Sequence, residues 1–89
     1  EKAKEILKSK GYCLEYELDE ADSYIGEGLK IIVDFAEKGI SWLVPEGHSQ
    51  YYIGRTLRYD PMLSGDELAD MIIEGAKDIG RREKVREQG

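Results

Sequence analysis

Histidine occurs once in this 89-residue sequence, as His48 between Gly47 and Ser49. A serine beside a histidine holds the atoms of a nucleophile and its base. Neighbouring side chains on a loop do not generally meet in that geometry, however, and the GxSxG turn that lifts a serine out of a sheet is absent. A small enzyme around His48 is therefore the weakest of three functional readings. The carboxylates are no more specific. Asp and Glu number 19, so a pair of acids lies within reach of almost any point and has no diagnostic weight. The acids between residues 15 and 22 lack the glycine and the terminal glutamate of a calcium loop, and the chain has no P-loop, GxGxxG or CxxC. No catalytic residue, metal ligand or cofactor is expected.

Two groupings suit binding better than catalysis. Tyr51, Tyr52, Arg55, Arg58 and Tyr59 bring together aromatic and guanidinium groups, which are enriched where proteins meet partners and can also stack on bases. Between residues 11 and 28 stand Glu15, Glu17, Asp19, Glu20, Asp22 and Glu27 with no base among them, whereas residues 1–10 and 81–87 are both net basic. The chain as a whole carries −6, which opposes sequence-independent binding to phosphate backbones and suits a basic partner.

These side chains must be held by a small core. Eighty-nine residues make one domain, 1–89, in which residues 81–89 either continue the last helix past Gly80 as an exposed basic extension or fray into a basic tail. A single cysteine, Cys13, cannot form an internal disulfide, so a reducing, cytoplasmic setting is expected. No apolar run approaches the roughly 18–20 residues of a membrane span.

The strongest pattern is LKIIVDFAEKGISWLV, residues 29–44. Leu29, Ile31, Val33 and Phe35 alternate with Lys30, Ile32 and Asp34, and Ile40, Trp42 and Val44 repeat the alternation, which predicts a β-hairpin with one buried face. Setting Phe35 opposite Ile40 pairs Val33 with Trp42 and Ile31 with Val44, and leaves Ala36–Gly39 as the loop. On the other face that register sets Ile32 against Leu43, an apolar pair with Cys13 or Tyr52 nearby.

Around the hairpin, residues 2–9 predict a short helix ending at Gly11, and Tyr12–Leu18 predicts a strand with Leu14, Tyr16 and Leu18 inward. Residues 19–28, DEADSYIGEG, read as a loop whose tip, Tyr24 and Ile25, either folds back on the core or faces a partner. Residues 50–59 read as a fourth strand at an edge, with Gly54 marking a bulge or a close backbone approach. Ser64 and Glu67 have capping-box spacing ahead of a helix whose apolar stripe is Leu68, Met71, Ile72, Ala76 and Ile79, and Gly75 beside the stripe allows close approach to a sheet.

The fold expected is α+β: a three- to four-stranded antiparallel meander with an N-terminal and a C-terminal helix on one face. Its core would hold Leu14, Leu18, Ile31, Val33, Trp42, Val44 and Ile53 against Ile6, Leu7, Leu68, Met71 and Ile72. The element order resembles that of the double-stranded RNA-binding domain, although Ser64-Gly65-Asp66-Glu67 is acidic where that family is basic. Over residues 1–45 the pattern is also similar to small acidic phage inhibitors of CRISPR nucleases. Neither resemblance carries functional residues over.

The function expected is a non-enzymatic acidic interaction module, an inhibitor or accessory protein acting on a basic, nucleic-acid-binding partner. Its surface would use Glu15, Glu17, Asp19, Glu20, Asp22, Tyr24, Ile32, Leu43, Tyr52, Arg55 and Arg58. A homodimer is a further expectation. The second reading is nucleic-acid contact through Arg55, Arg58 and the basic tail.

Overall fold

A computed structural model describes the backbone of residues 2–88 and the side chains of residues 2–82. Helix α1 (Lys2–Ser9) leads into five strands, β1 (Cys13–Glu17), β2 (Ala21–Gly26), β3 (Leu29–Asp34), β4 (Gly39–Pro45) and β5 (Tyr51–Arg58), and the chain continues into helix α2 (Gly65–Gln88). The strands form one antiparallel sheet in the order β1-β2-β3-β4-β5, a simple meander. This is the expected α+β architecture with one strand more.

Each boundary has a local cause. Helix α1 ends in a Schellman arrangement: Tyr12 N donates to the Leu7 carbonyl and Gly11 N to that of Lys8, with Gly11 at φ 92°. Leu7 and Tyr12 are both buried, so the turn that stops the helix also brings its apolar side to the sheet. Helix α2 begins in the predicted capping box, with Ser64 N donating to Glu67 Oε1 at 3.0 Å and Glu67 N to Ser64 Oγ at 3.2 Å. It runs on through Gly80 to Gln88, the first of the two expectations for this stretch, and its side chains beyond Arg82 lie outside the described residues.

The extra strand is β2, where a loop was expected. Asp22 and Ser23 are poor strand formers, yet both are buried between β1 and β3. Their polar groups are satisfied there: Ser23 Oγ donates to Glu15 Oε1 at 2.8 Å, and the Tyr24 hydroxyl donates to Asp22 Oδ2 at 3.3 Å. Glu27 and Gly28, both at positive φ, close a two-residue hairpin between Gly26 and Leu29. Tyr24 is consequently a core residue and not a loop tip.

The central hairpin keeps the predicted faces but is shifted by two residues. Ile31 lies opposite Trp42, Val33 opposite Ile40 and Asp34 opposite Gly39, leaving Phe35–Lys38 as the loop. Asp34 decides this. Its Oδ1 accepts the backbone N–H groups of Ala36 and Glu37, both at 3.0 Å, and holds the turn one residue earlier than a glycine-centred loop would. A shift of two preserves side-chain parity, so the buried set survives while every cross-strand partner changes.

Trp42 is the centre of the core and has no exposed surface. It lies under α2, where its Nε1 donates to the Ile72 carbonyl at 3.0 Å. A Cβ on Gly75 would come within 2.3 Å of the indole Cζ2, so only glycine lets the ring reach the helix backbone. Leu7, Tyr24, Ile31, Val33, Ile40, Ile72, Ala76 and Ile79 complete the core on the same face. Three residues expected in it lie outside: Leu14 is 38% exposed, Leu18 61% and Ile53 63%. Leu14 belongs to an open edge strand and Leu18 follows it into a turn; Ile53 is turned outward by a bulge in β5.

Two stability measurements follow. Trp42→Ala should cost about 3–5 kcal/mol, the range for deleting a large buried aromatic, and should shift the urea midpoint accordingly; a midpoint unchanged by the substitution would place the indole outside the core. Burial and then the nearby Glu27 carboxylate push the Tyr12 phenol up from 10.0 to about 12, and no described residue hydrogen-bonds its hydroxyl. The folded state thus holds this proton more tightly than the unfolded chain, so its contribution is fully present below pH 10 and is lost as pH rises towards 12. Tyr12→Phe should remove that part of the alkaline destabilisation, read as a smaller fall in stability across this window than in the parent.

Candidate functional site: the open face of the sheet

Residues directly opposite in an antiparallel sheet share a face, which sorts every strand residue. On the helix side lie the rows Leu14, Tyr24, Ile31, Trp42, Arg55 and Glu17, Asp22, Val33, Ile40, Leu57. On the other side lie Cys13, Ile25, Lys30, Leu43, Ile53 and, beside them, Tyr16, Ser23, Ile32, Ser41, Thr56. Tyr51 joins this second face opposite Pro45. Core packing of both helices is directed to the first face. The second carries a broad apolar and aromatic surface open to solvent, with Tyr16, Ile25, Tyr51 and Ile53 exposed and Ile32 and Leu43 half-buried.

Two bulges determine its composition. In β1 the pairing shifts between Leu14 and Tyr16, so Glu15 is the extra residue and Tyr16 turns to the open face although Leu14 points inward. In β5 the shift falls opposite Trp42 and Leu43, with Gly54 as the extra residue; Tyr51 and Ile53 turn to the open face while Arg55 and Leu57 stay on the helix side. A Cβ on Gly54 would lie 2.9 Å from Val44 Cγ2 and 3.5 Å from Ile79 Cγ2, so glycine allows both the bulge and the contact with α2.

Lys30 stands in the middle of the open face. Its Nζ lies 5.4 Å from the Tyr16 ring centroid, 5.3 Å from that of Tyr51, and 3.5 Å from Glu15 Oε1. Burial by itself would lower its pKa. The Glu15 carboxylate, by charge and hydrogen bond, together with the two tyrosines outweighs that and leaves the ammonium raised above its usual 10.5. The face therefore has an apolar centre whose one lysine is already neutralised and stacked.

The residues expected at the partner surface divide between the two sides. Glu15, Ile32, Leu43 and Arg58 are on the open face. Ile32 and Leu43 do not oppose each other: Ile32 faces Ser41, and Leu43 faces Lys30 on one side and Ile53 on the other, making the two diagonal neighbours. Arg58 is 3.8 Å from Glu37 Oε2 and also donates to the Glu37 carbonyl. Asp19 and Glu20 are exposed in the β1–β2 turn. Glu17 points to the helices and is ion-paired with Lys4, Asp22 and Tyr24 are buried, and Tyr52 packs on the core opposite Val44. Arg55 lies on the helix side, 5.8 Å over the Trp42 ring and 3.6 Å from Asp78. The two arginines of the nucleic-acid reading thus sit on opposite faces of the sheet, each beside a carboxylate.

His48 is in the exposed β4–β5 loop, and no three His, Cys, Asp or Glu side chains among the described residues are grouped to hold a metal ion. Among the described residues no helix is long and apolar enough to cross a membrane. Compared with family models, curated proteins and solved structures, the chain matches none.

Tyr16, Ile25, Lys30, Tyr51 and Ile53 complete the site; strict alternation puts Tyr16 and Ile53 inward, and the bulges at Glu15 and Gly54 turn them to the open face. Lys30 was on the correct side from the β3 alternation alone. The Lys30 ammonium is a direct check on the arrangement: Glu15→Gln should lower its pKa, measured by NMR titration of the Lys30 side-chain carbon signals, whereas an unchanged titration would show that Glu15 does not reach it.

Proposed function

We propose that this protein is a non-enzymatic binding module that docks a protein partner on the open face of its sheet. The observation that carries this reading is the uncovered surface of Ile25, Leu43, Ile53, Tyr16 and Tyr51 around a neutralised lysine. Contiguous apolar surface of this kind is stabilised by being covered, at roughly 25 cal/mol per Å² of area removed from water. Tyrosines supply rigid contact area with a polar end, as at the centres of interfaces.

The rim points to a basic partner. Asp19, Glu20, Asp34 and Glu37 lie at the end of the sheet formed by the β1–β2 and β3–β4 turns, against Lys38 and Arg58. Glu27 and Glu46 occupy the opposite end. An apolar centre with acidic flanks fits a segment of alternating apolar and basic residues, and the charge speeds encounter and disfavours acidic competitors. A partner bound in this way has its basic surface masked, which is how an inhibitor or accessory protein of a nucleic-acid-binding protein would act.

A nine-residue peptide of alternating leucine and lysine tests the reading by ¹⁵N NMR titration. Amide signals of Ile25, Lys30, Leu43 and Ile53 should move, and joint substitution Ile25→Ser and Ile53→Ser should abolish the shifts with the fold intact by circular dichroism. A single-stranded RNA oligonucleotide that moved the same signals at lower concentration, with a steep loss on adding salt, would overturn the protein-partner reading in favour of nucleic acid.

A further inference from the structure

The two edges of the sheet are unlike. β1 is five residues long, bulged at Glu15, and carries Glu15 and Glu17, the features by which sheet edges are kept from pairing. β5 is eight residues long and contains no proline, lysine or acid. Its two arginines each have a carboxylate neighbour, Asp78 for Arg55 and Glu37 for Arg58. Among the described residues no strand pairs with its outer edge.

A bulge normally spoils an edge as a template, because residues beyond it point to the wrong face for a regular partner. In β5 the bulge sits at the middle. Tyr51, Ile53, Thr56 and Arg58 point to the open face, and Tyr52, Gly54, Arg55 and Leu57 to the helix face. Reversed end for end about the point between Gly54 and Arg55, this pattern maps onto itself. Tyr51 then meets Arg58, Tyr52 meets Leu57, Ile53 meets Thr56 and Gly54 meets Arg55, each pair on one face. A two-fold centred on a single residue puts Ile53 against Arg55, or Arg55 against Arg55 with Gly54 against Thr56, and in each case mixes the faces. A regular strand from another protein would likewise match only half of β5.

We infer that β5 pairs antiparallel with β5 of a second copy of this chain, about a two-fold axis between Gly54 and Arg55. Antiparallel pairing of identical strands is an isologous contact, so every favourable pair occurs twice. Tyr51 and Arg58 form a ring–guanidinium pair at each end. At the centre Gly54 leaves room for the facing Arg55, whose guanidinium lies back over its own Trp42 towards its own Asp78. The product is a ten-stranded sheet with the two open faces continuous on one side. This contact uses the edge and stands independently of what binds the face.

Sedimentation equilibrium of the intact chain should show the 10.1 kDa monomer giving way to twice that mass as concentration rises from about 10 µM to about 1 mM, as a small interface of this type requires. A monomer throughout that range would overturn the inference. The register is tested in a Cys13→Ser background by mixing chains carrying Ile53→Cys with chains carrying Thr56→Cys under mild oxidation. Covalent dimers should form in the mixture and not from Ile53→Cys alone. Because of the bulge, Ile53 and Thr56 span only two regular strand steps, so the two Ile53 Cα atoms would stand about 8 Å apart, beyond the about 7 Å a disulfide spans. Tyr51→Cys mixed with Arg58→Cys reads the same register at the strand ends if Thr56→Cys disturbs the fold. Cross-linking of Ile53→Cys with itself, or of neither mixture, would overturn it even if dimers were present.

Discussion

The position of Trp42 under α2 is the constraint on which the rest of the structure depends. The indole reaches the helix backbone because Gly75 offers no side chain, and its Nε1 hydrogen bond to the Ile72 carbonyl sets where along the helix the contact falls. A helix seated in this way covers one side of β4 and β5 and, through its packing with α1, the same side of the other strands. Among the described residues no second layer covers the other side. The burial that makes the fold stable thereby leaves a sheet face open, and the candidate site is a direct consequence of where the core was built.

What that face displays is set by two bulges. Without the extra residue at Glu15, Tyr16 would point towards the helices; without the one at Gly54, Tyr51 and Ile53 would. Both bulges lie in edge strands, where only one neighbour has to be matched and the cost of an interrupted ladder is least. Their joint effect is to bring a tyrosine from each edge strand to the two sides of Lys30 on the central strand. A lysine there would otherwise be a partly desolvated charge in an apolar field; Glu15 and the two rings make it a fixed part of the surface.

The acidic run between residues 11 and 28 is not one electrostatic feature. Alternation along β1 and β2 distributes it: Glu15 to the open face and Lys30, Glu17 to the helix side and Lys4, Asp22 into the interior with Tyr24, and Asp19 and Glu20 to a turn. Two of these charges have lysine partners and one is buried, which leaves the turns as the acidic rim of the open face. Arg55 and Arg58 are divided in the same manner. Clusters along a strand become opposites across a sheet, which is why a charge run in a β-rich sequence is a poor map of surface potential.

The sequence by itself determined the α+β class, the cap that ends α1, the cap that begins α2 and the alternation of the central hairpin, because each of these is governed by residues within a few positions of one another. The Schellman turn at Gly11, the Ser64–Glu67 box and the parity of Leu29–Val33 are local in this sense. The tertiary structure decided what depends on a neighbour far along the chain. Strand β2 exists because β1 and β3 accept its backbone and because Glu15 and Tyr24 satisfy Ser23 and Asp22, which no propensity of ADSYIG conveys. The hairpin register followed the Asp34 turn over the apparent match of large side chains. The bulges exist only as a mismatch between two strands, and a one-residue mismatch exchanges the faces of everything beyond it. For that reason the binding face, unlike the core, was not legible until the strands were paired.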